Sequence, residues 1–208
     1  IVIGGGHAGT EAAVAAARRG AHVALLTTSI ETIGQLSCNP AMGGVAKGTV
    51  VREIDALGGI MGRATDLAAI QFRMLNRGKG PAVWAPRAQT DRGLYRRAVR
   101  QLVEAQPKLV TLQGTAARLL LGPGDVIAGV ETTVGQRLGA RAVVISTGTF
   151  LRGRIHIGTG QSMSGGRAGE AATTTLAEQF ADLGLATARF KTGTPPRIDG
   201  RSGEFSRT

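Results

Sequence analysis

A glycine triad near the start of the chain restricts the fold more than any other feature of the sequence. Gly4, Gly6 and Gly9 follow the β-branched run Ile1–Ile3 and lead into Thr10–Arg19, an alanine-rich segment with high helix propensity. In a dinucleotide-binding turn the first glycine permits a tight bend. The second lets the backbone approach a diphosphate, and the third lets the helix pack close to the strand. The order of strand, turn and helix predicts a Rossmann-like βαβ unit.

Later segments extend this prediction to a parallel sheet with a small antiparallel meander. His22–Thr27 predicts a second buried strand, and Ala142–Ser146 predicts a return to the same sheet. Short apolar runs separated by glycine turns predict a meander over 109–140, with Leu109–Gln113 as its first strand. Helical periodicity predicts a helix at Thr90–Ala105. We also predict helices at Gly48–Leu57 and Thr174–Leu183 and a strand at Thr187–Lys191.

The charge balance favours a polyanionic partner. Lys and Arg number 25 against 14 Asp and Glu, which gives a formal charge of +11. Ten basic residues against two acidic ones fall between positions 73 and 118: Arg73, Arg77, Lys79, Arg87, Arg92, Arg96, Arg97, Arg100, Lys108 and Arg118. A solvated, arginine-rich surface explains the same numbers, so charge alone leaves both interpretations open.

Cysteine usage and hydropathy indicate the compartment. Cys38 is the single cysteine, which excludes an internal disulfide and fits a reducing environment. No apolar run has the length of a membrane span. We therefore expect a soluble, cytoplasmic protein without a metal site. Because the chain begins at Ile1 rather than Met and ends in a polar stretch, we expect it to be a fragment.

The residues at the ends of the predicted strands bear on which dinucleotide is bound. NAD- and FAD-binding units commonly place an acid at the end of the second strand, where this chain has Thr27. The meander, the strand after it and the turn Ser146–Thr149 resemble the second FAD contact of two-dinucleotide flavoproteins such as the glutathione reductase class. This resemblance favours FAD, with Thr27, Thr147 and Gly148 as contacts.

The loop around Cys38 is the second informative stretch. Disulfide reductases bring two closely spaced cysteines to the flavin, and this loop has one, so a dithiol relay within the chain is impossible. A thiol beside a flavin and near Lys47 has the surroundings of a nucleophile. A small buried loop residue is the structural alternative.

Seven blocks together resemble the MnmG/GidA family, the FAD-binding subunit of the tRNA uridine-5-carboxymethylaminomethyl modification enzyme. They occur in the family's order and span the whole chain: GGGHAGTE (4–11), SCNPAMGGVAKG (37–48), DALGG (55–59), IQFRMLN (70–76), KGPAV (79–83), RAQTDR (87–92) and KTGTPPR (191–197).

The resemblance implies an enzyme that modifies C5 of wobble uridine 34 in transfer RNA. It implies a homodimeric flavoprotein that joins a GTP-hydrolysing partner of the MnmE family in a heterotetramer. The implied cofactors are FAD, NADH as reductant and methylenetetrahydrofolate as one-carbon donor, and the implied product is an aminomethyl or carboxymethylaminomethyl uridine.

The same resemblance assigns roles to individual residues. Cys38 matches one of two family cysteines implicated in the reaction on tRNA. The expected FAD contacts are Gly4, Gly5, Gly6, His7, Ala8, Gly9, Ala116 and Thr173.

The expected organisation is α/β, of the two-dinucleotide flavoprotein type. We expect a Rossmann-like FAD-binding domain with a β-meander at 1–153 and the start of an inserted second domain at 154–208. We expect the isolated fragment to be inactive. Two rival hypotheses remain: a folate- and FAD-dependent tRNA uridine methyltransferase or related flavin oxidoreductase, and a non-catalytic nucleotide-binding module.

Overall fold

The structure, a computed structural model, describes residues 1–191, 193 and 199–202. Most of the block KTGTPPR (191–197) therefore lies outside the described residues. The helices are α1 (His7–Arg18), α2 (Val45–Ala56), α3 (Met61–Ala68), α4 (Arg92–Glu104) and α5 (Thr175–Asp182), and short 3-10 turns lie at Ile30–Thr32, Arg77–Lys79, Pro81–Val83, Pro123–Asp125 and Gly200–Ser202.

The strands are β1 (Val2–Ile3), β2 (Val23–Thr27), β3 (Ala41–Gly43), β4 (Ala69–Leu75), β5 (Ala85–Thr90), β6 (Leu109–Gln113), β7 (Ala116–Leu121), β8 (Ile127–Thr132), β9 (Arg137–Gly139), β10 (Val144–Ile145), β11 (Arg154–Ile157) and β12 (Gln161–Ser164). Four of them form a parallel sheet in the order β10-β1-β2-β6. The predicted βαβ unit and the return of the chain to the sheet near Ser146 are confirmed.

The predicted extent of the meander is wrong at its first strand. Strand β6 pairs parallel with β2, from Val23↔Leu109 to Thr27↔Gln113. Helix α4 provides the crossover that returns the chain to the same edge of the sheet, which a hairpin connection cannot do. The chain leaves the parallel sheet at Gly114, whose N–H donates to the Thr27 carbonyl. The antiparallel meander therefore consists of β7, β8 and β9.

A second antiparallel sheet, in the order β3-β5-β4, was not predicted. The expected helix at Gly48–Leu57 exists as α2 and begins three residues earlier, and α1 likewise begins at His7 rather than Thr10. Thr187–Lys191 is not a strand, because it forms no ladder with any described residue and is exposed throughout.

The core lies on both faces of the parallel sheet. Leu25 and Leu26 are adjacent on β2 and point to opposite faces, as strand geometry requires. Leu25 packs in a cluster with α1 and α4, where Tyr95 is fully buried. Leu26 packs in a second cluster with the meander and with Leu176 of α5. These two clusters fix the carboxyl ends of the parallel strands relative to the surrounding loops.

A carboxylate on α1 connects it to the start of α3. The Glu11 carboxylate accepts hydrogen bonds from the Ile60 N–H at 3.0 Å and the Met61 N–H at 2.7 Å. These amides have no partner within α3, so Glu11 caps that helix from outside. No helix among the described residues is both long and apolar enough to cross a bilayer.

Candidate functional site

A cavity of about 580 Å³ opens at the carboxyl ends of the parallel strands. Its volume lies within the range of small-molecule and cofactor sites. Ile3, Thr27 and Ser146 line it at the ends of β1, β2 and β10, the edge where open α/β sheets bind their ligands. The β3-β5-β4 sheet, the Cys38 loop and the chain around Thr173 complete the wall.

The three glycines of the opening turn have three different environments. Gly4 has φ +109°, and a Cβ there would collide with the Ser146 carbonyl. A Cβ at Gly9 would collide with the Gly4 carbonyl, so this glycine lets α1 approach β1. A Cβ at Gly6 would meet no protein atom within 4 Å, and Gly6 lines the cavity. The roles predicted from the spacing agree with these positions.

The start of α1 presents hydrogen-bond donors to the cavity. Gly6 is the N-cap, and no side chain caps the helix there. The N–H groups of Gly5, Gly6 and His7 have no acceptor among the described residues, and all three residues line the cavity. Uncapped amides and the positive end of a helix dipole bind phosphate groups well. The turn therefore fits a dinucleotide diphosphate.

Most of the other predicted contacts line the same cavity. Thr27, Ala116, Thr147, Gly148 and Thr173 all contribute to its wall. The Thr27 hydroxyl donates to the Ser29 carbonyl at 3.3 Å, which leaves the lone pairs of its oxygen for a ligand. Contact of these residues with a flavin remains a prediction.

Two predicted contacts, Ala8 and Gly9, do not line the cavity. Gly9 is buried against the Gly4 carbonyl, and Ala8 is exposed within the first turn of α1. Whether either amide reaches a ligand also remains a prediction.

His7, the first residue of α1 after the glycine turn, is uncharged at neutral pH. Partial burial, followed by the positive charges of Lys47 and Arg167, lowers its pKa to about 4. Its ring packs edge-on against Tyr95 at 5.8 Å between centroids. Burial, and then the negative charge of Glu11, raises the pKa of Tyr95, so the phenol stays protonated. At neutral pH His7 acts as a hydrogen-bonding group without charge.

Cys38 lies on the wall of the cavity, as the nucleophile hypothesis requires. It is exposed, and Arg92 holds its backbone by donating to the carbonyl at 3.1 Å. Lys47 lines the same wall and donates to the Ala41 carbonyl at 3.1 Å. Burial lowers the pKa of Lys47, an effect that the nearby Cys38 opposes and Arg87 reinforces. A thiol and an ammonium thus lie near each other beside the glycine turn.

Arg167 is a site residue that the sequence analysis did not identify. Its guanidinium lies 5.0 Å from the centroid of the Phe150 ring and donates to Gln35 at 2.8 Å. An ion pair with Glu170 at 3.3 Å completes its contacts. Arg167, Phe150 and Gln35 all line the cavity. The one signal in the sequence is an arginine flanked by glycines at 165–169, which carries no specific pattern.

Comparison with known proteins agrees with this geometry. The family model of glucose inhibited division protein A matches residues 1–208. The solved structure of Aquifex aeolicus GidA in one crystal form superimposes with a TM-score of 0.90 at 49% sequence identity and covers 99% of this chain. A second crystal form gives a TM-score of 0.89 at 49% identity over 97% of the chain.

A GidA-related protein from Thermus thermophilus is more distant. It matches with a TM-score of 0.63 at 26% identity, over 88% of this chain and 67% of its own. The present chain spans about a third of the length of the Aquifex aeolicus GidA chains, 34% and 33% in the two crystal forms.

Proposed function

Because this chain belongs to the glucose inhibited division protein A family, we propose that it is the flavin-binding part of an enzyme that modifies transfer RNA. The observation that carries the proposal is the placement of Cys38 and the Gly4–His7 turn on one cavity wall. A cofactor diphosphate bound at the turn and a nucleophile on the same wall are the two parts that such an enzyme needs.

FAD is the proposed resident cofactor. Its diphosphate would bind the N–H groups of Gly5, Gly6 and His7, which have no acceptor among the described residues. Thr27 and Thr147 line the same cavity and would contact the rest of the cofactor. Gly6 supports this assignment, because it lines the cavity and a Cβ there would meet no protein atom within 4 Å. When bound, a flavin supplies hydride or electron transfer, and NADH is the proposed source of reducing equivalents.

The proposed substrate is wobble uridine 34, modified at C5 to an aminomethyl or carboxymethylaminomethyl group. Cys38 has two chemically reasonable roles. Its thiolate adds to C6 of the uracil, which makes C5 nucleophilic, or it handles the methylene group supplied by methylenetetrahydrofolate. In both roles the base leaves its stack to reach a cavity that a duplex cannot enter.

The proposed setting follows from the family alone. We propose a cytoplasmic homodimer that acts with an MnmE-family GTPase in a heterotetramer.

Nucleoside analysis of tRNA tests the function directly. In cells that lack the gene, we expect the 5-substituted wobble uridine to disappear. Full-length wild-type protein should restore it, and full-length Cys38→Ser protein should purify with its flavin but fail to restore it. A Ser37→Ala protein is the matched control, because it alters the adjacent residue of the same loop and leaves the thiol in place.

Three outcomes contradict parts of the proposal. A wild-type level of the modified nucleoside in the deletion strain refutes the substrate. Full restoration by Cys38→Ser returns that residue to a structural role. Loss of 5-methyluridine in place of the wobble modification assigns the chain to the rival tRNA methyltransferase.

A further inference from the structure

Two arginines face each other on the β3-β5-β4 sheet, and no described residue serves as their counter-ion. Arg73 of β4 pairs directly with Arg87 of β5, so both side chains lie on one face of the sheet. Neither forms an ion pair or a side-chain hydrogen bond with any described residue. Like charges directly opposite each other destabilise a ladder. No carboxylate among the described residues offsets the repulsion between these two arginines.

This face of the sheet is the one that turns toward the cavity. Arg87 lines the cavity, and so does Leu75, which lies two residues after Arg73 and therefore on the same face. Gly43 of β3 pairs with Arg87 in the next ladder and also lines the cavity. Arg87 thus lies on the cavity wall and Arg73 lies opposite it on the same face of the sheet, with both residues exposed to solvent.

Lys47 adds a third positive charge to the pair. It lines the cavity from α2, and its ammonium is bound to the carbonyl of Ala41 on the neighbouring strand β3. Arg87 and Cys38 line the same cavity, and the charge of each affects the pKa of Lys47. Lys47 and Arg87 therefore share the cavity wall with the thiol, and Arg73 lies opposite Arg87 on the same face of its sheet.

Among the residues that the structure describes, no acid lines the cavity to neutralise the cluster of Arg73, Arg87 and Lys47. The described residues that line it include Lys47, Arg87 and Arg167 but neither Asp nor Glu. The opening turn, which fits a diphosphate, belongs to the parallel sheet, whereas Arg73 and Arg87 belong to the other sheet. An anion bound between the two side chains would balance their charge, and guanidinium groups match the geometry of phosphate oxygens.

We propose that Arg73, Arg87 and Lys47 form an anion subsite that holds a phosphate of the RNA nucleotide whose base enters the cavity beside Cys38. The assignment to RNA rests on the proposed function. A phosphate held at this wall fixes the position of the nucleotide without reading its sequence, as phosphate contacts generally do. The base of the same nucleotide would then enter the cavity that Cys38 lines.

Alkylation of Cys38 tests the anion subsite without reference to tRNA. In full-length, flavin-loaded protein, the rates of modification by iodoacetate, an anion, and by iodoacetamide, its neutral analogue, are measured at Cys38 by peptide mass spectrometry. We expect the ratio of the two rates to fall several-fold in an Arg73→Gln/Arg87→Gln double variant. We also expect uridine 5′-phosphate to slow the reaction of the wild-type protein more than uridine does.

Arg19→Gln is the matched control. Arg19 is exposed at the far end of α1, about 18 Å from His7 by the helical rise. Its replacement removes one positive charge and leaves the cavity unchanged, so the ratio of rates should stay at the wild-type value. A ratio that is unchanged in the double variant as well overturns the anion subsite.

Binding of tRNA to the same proteins tests the identity of the anion. The slope of log affinity against log salt should decrease by about one for each phosphate that the variant no longer neutralises, with flavin content unchanged. A lowered alkylation ratio with an unchanged slope overturns the assignment to RNA. Loss of flavin with an unchanged slope assigns the cluster to the cofactor and overturns it too. Absence of tRNA binding by the wild-type protein instead overturns the proposed function.

Discussion

At the scale of single residues, the glycine turn separates the requirements of folding from those of ligand binding. Cβ atoms at Gly4 and Gly9 would collide with the protein itself, whereas one at Gly6, which lines the cavity, would meet no protein atom within 4 Å. Gly6 has φ −78°, a backbone conformation open to any residue. The same substitution should therefore damage the fold at Gly9 and only the ligand site at Gly6.

Gly6→Val should abolish flavin retention and leave the fold intact. The branched side chain occupies the space in which a diphosphate would approach the backbone, while the protein around it does not have to move. Flavin content is read from the visible absorbance of purified full-length protein, and folding from its circular dichroism. Gly9→Val is the comparison, and it should lower the thermal midpoint. Yellow Gly6→Val protein would disprove the placement of the diphosphate.

His7 should make the flavin-free protein less stable as the pH falls. Its folded-state pKa of about 4 lies below the ordinary value of 6.5, so below pH 6.5 the unfolded chain binds a proton that the folded chain does not. The contribution is present above pH 6.5 and is lost progressively down to about pH 4. By linkage, the free energy of unfolding should fall by about 2 kcal/mol between pH 7 and pH 5 on account of this group.

His7→Gln provides the control for this pH dependence. Glutamine does not titrate, so urea unfolding of the variant should show a pH dependence about 2 kcal/mol shallower over the same interval. Identical pH dependence in the two flavin-free proteins would mean that folding does not lower the pKa of His7.

At the scale of elements, prediction from sequence succeeded where burial is periodic. Helix α4 was predicted from its apolar spacing, and Tyr95, Val99 and Val103 are indeed buried, although Leu94 is 49% exposed. Strands β4 and β5 were missed because β4 exposes its central residues and β5 contains Pro86 among polar ones. Their pairing depends on tertiary neighbours, which local spacing does not reveal.

In the candidate site, too, residues with a local sequence signal were predicted and residues placed by tertiary contacts were missed. Thr27 was predicted from its position at the end of the second strand, and Thr147 from the resemblance of its turn to an FAD contact of two-dinucleotide flavoproteins. Arg167 was missed because its contact with Gln35 joins residues 132 positions apart through a loop without a specific pattern.

Gln179 tests how α5 is held on the meander. Its side-chain oxygen accepts from the Leu119 N–H at 2.6 Å, and its nitrogen donates to the Leu119 carbonyl at 2.9 Å. Gln179→Ala leaves both partly buried backbone groups of β7 without partners, and we expect it to cost about 2 kcal/mol. Gln179→Glu should also destabilise the protein, because an ionised carboxylate cannot donate.

Urea unfolding of the full-length protein measures both variants. Glu178→Ala is the control, since Glu178 is the exposed neighbour on the same helix. If Gln179→Ala and Glu178→Ala unfold at the same urea concentration, these hydrogen bonds do not hold α5 in place.

At the scale of the whole molecule, the cavity is assembled from distant parts of the chain. Its wall runs from Ile3 to Leu176, and two core clusters hold those parts against the parallel sheet. Arg167 links the chain near residue 167 to the Cys38 loop by its hydrogen bond to Gln35. It is also close enough to His7 to lower the pKa of the imidazole. The residue therefore both closes the cavity and brings a full positive charge to the phosphate-binding turn.

Arg167→Gln should weaken FAD binding about tenfold, which corresponds to about 1.4 kcal/mol. With His7 neutral, the turn itself offers only amides and a helix dipole, so the nearby charges of Lys47 and Arg167 supply much of the charge that a diphosphate requires. Fluorescence titration of flavin-free, full-length protein measures the dissociation constant. Arg154→Gln is the control, because Arg154 is exposed on β11 and does not line the cavity.

Arg167→Lys separates charge from shape in the same titration. Lysine keeps the charge but loses the planar stack on Phe150 and the forked hydrogen bonds. An affinity between those of wild type and Arg167→Gln shows that both contribute. Equal dissociation constants for wild type and Arg167→Gln would mean that the guanidinium serves only to hold the 165–170 turn, and that the amides of α1 bind the diphosphate without it.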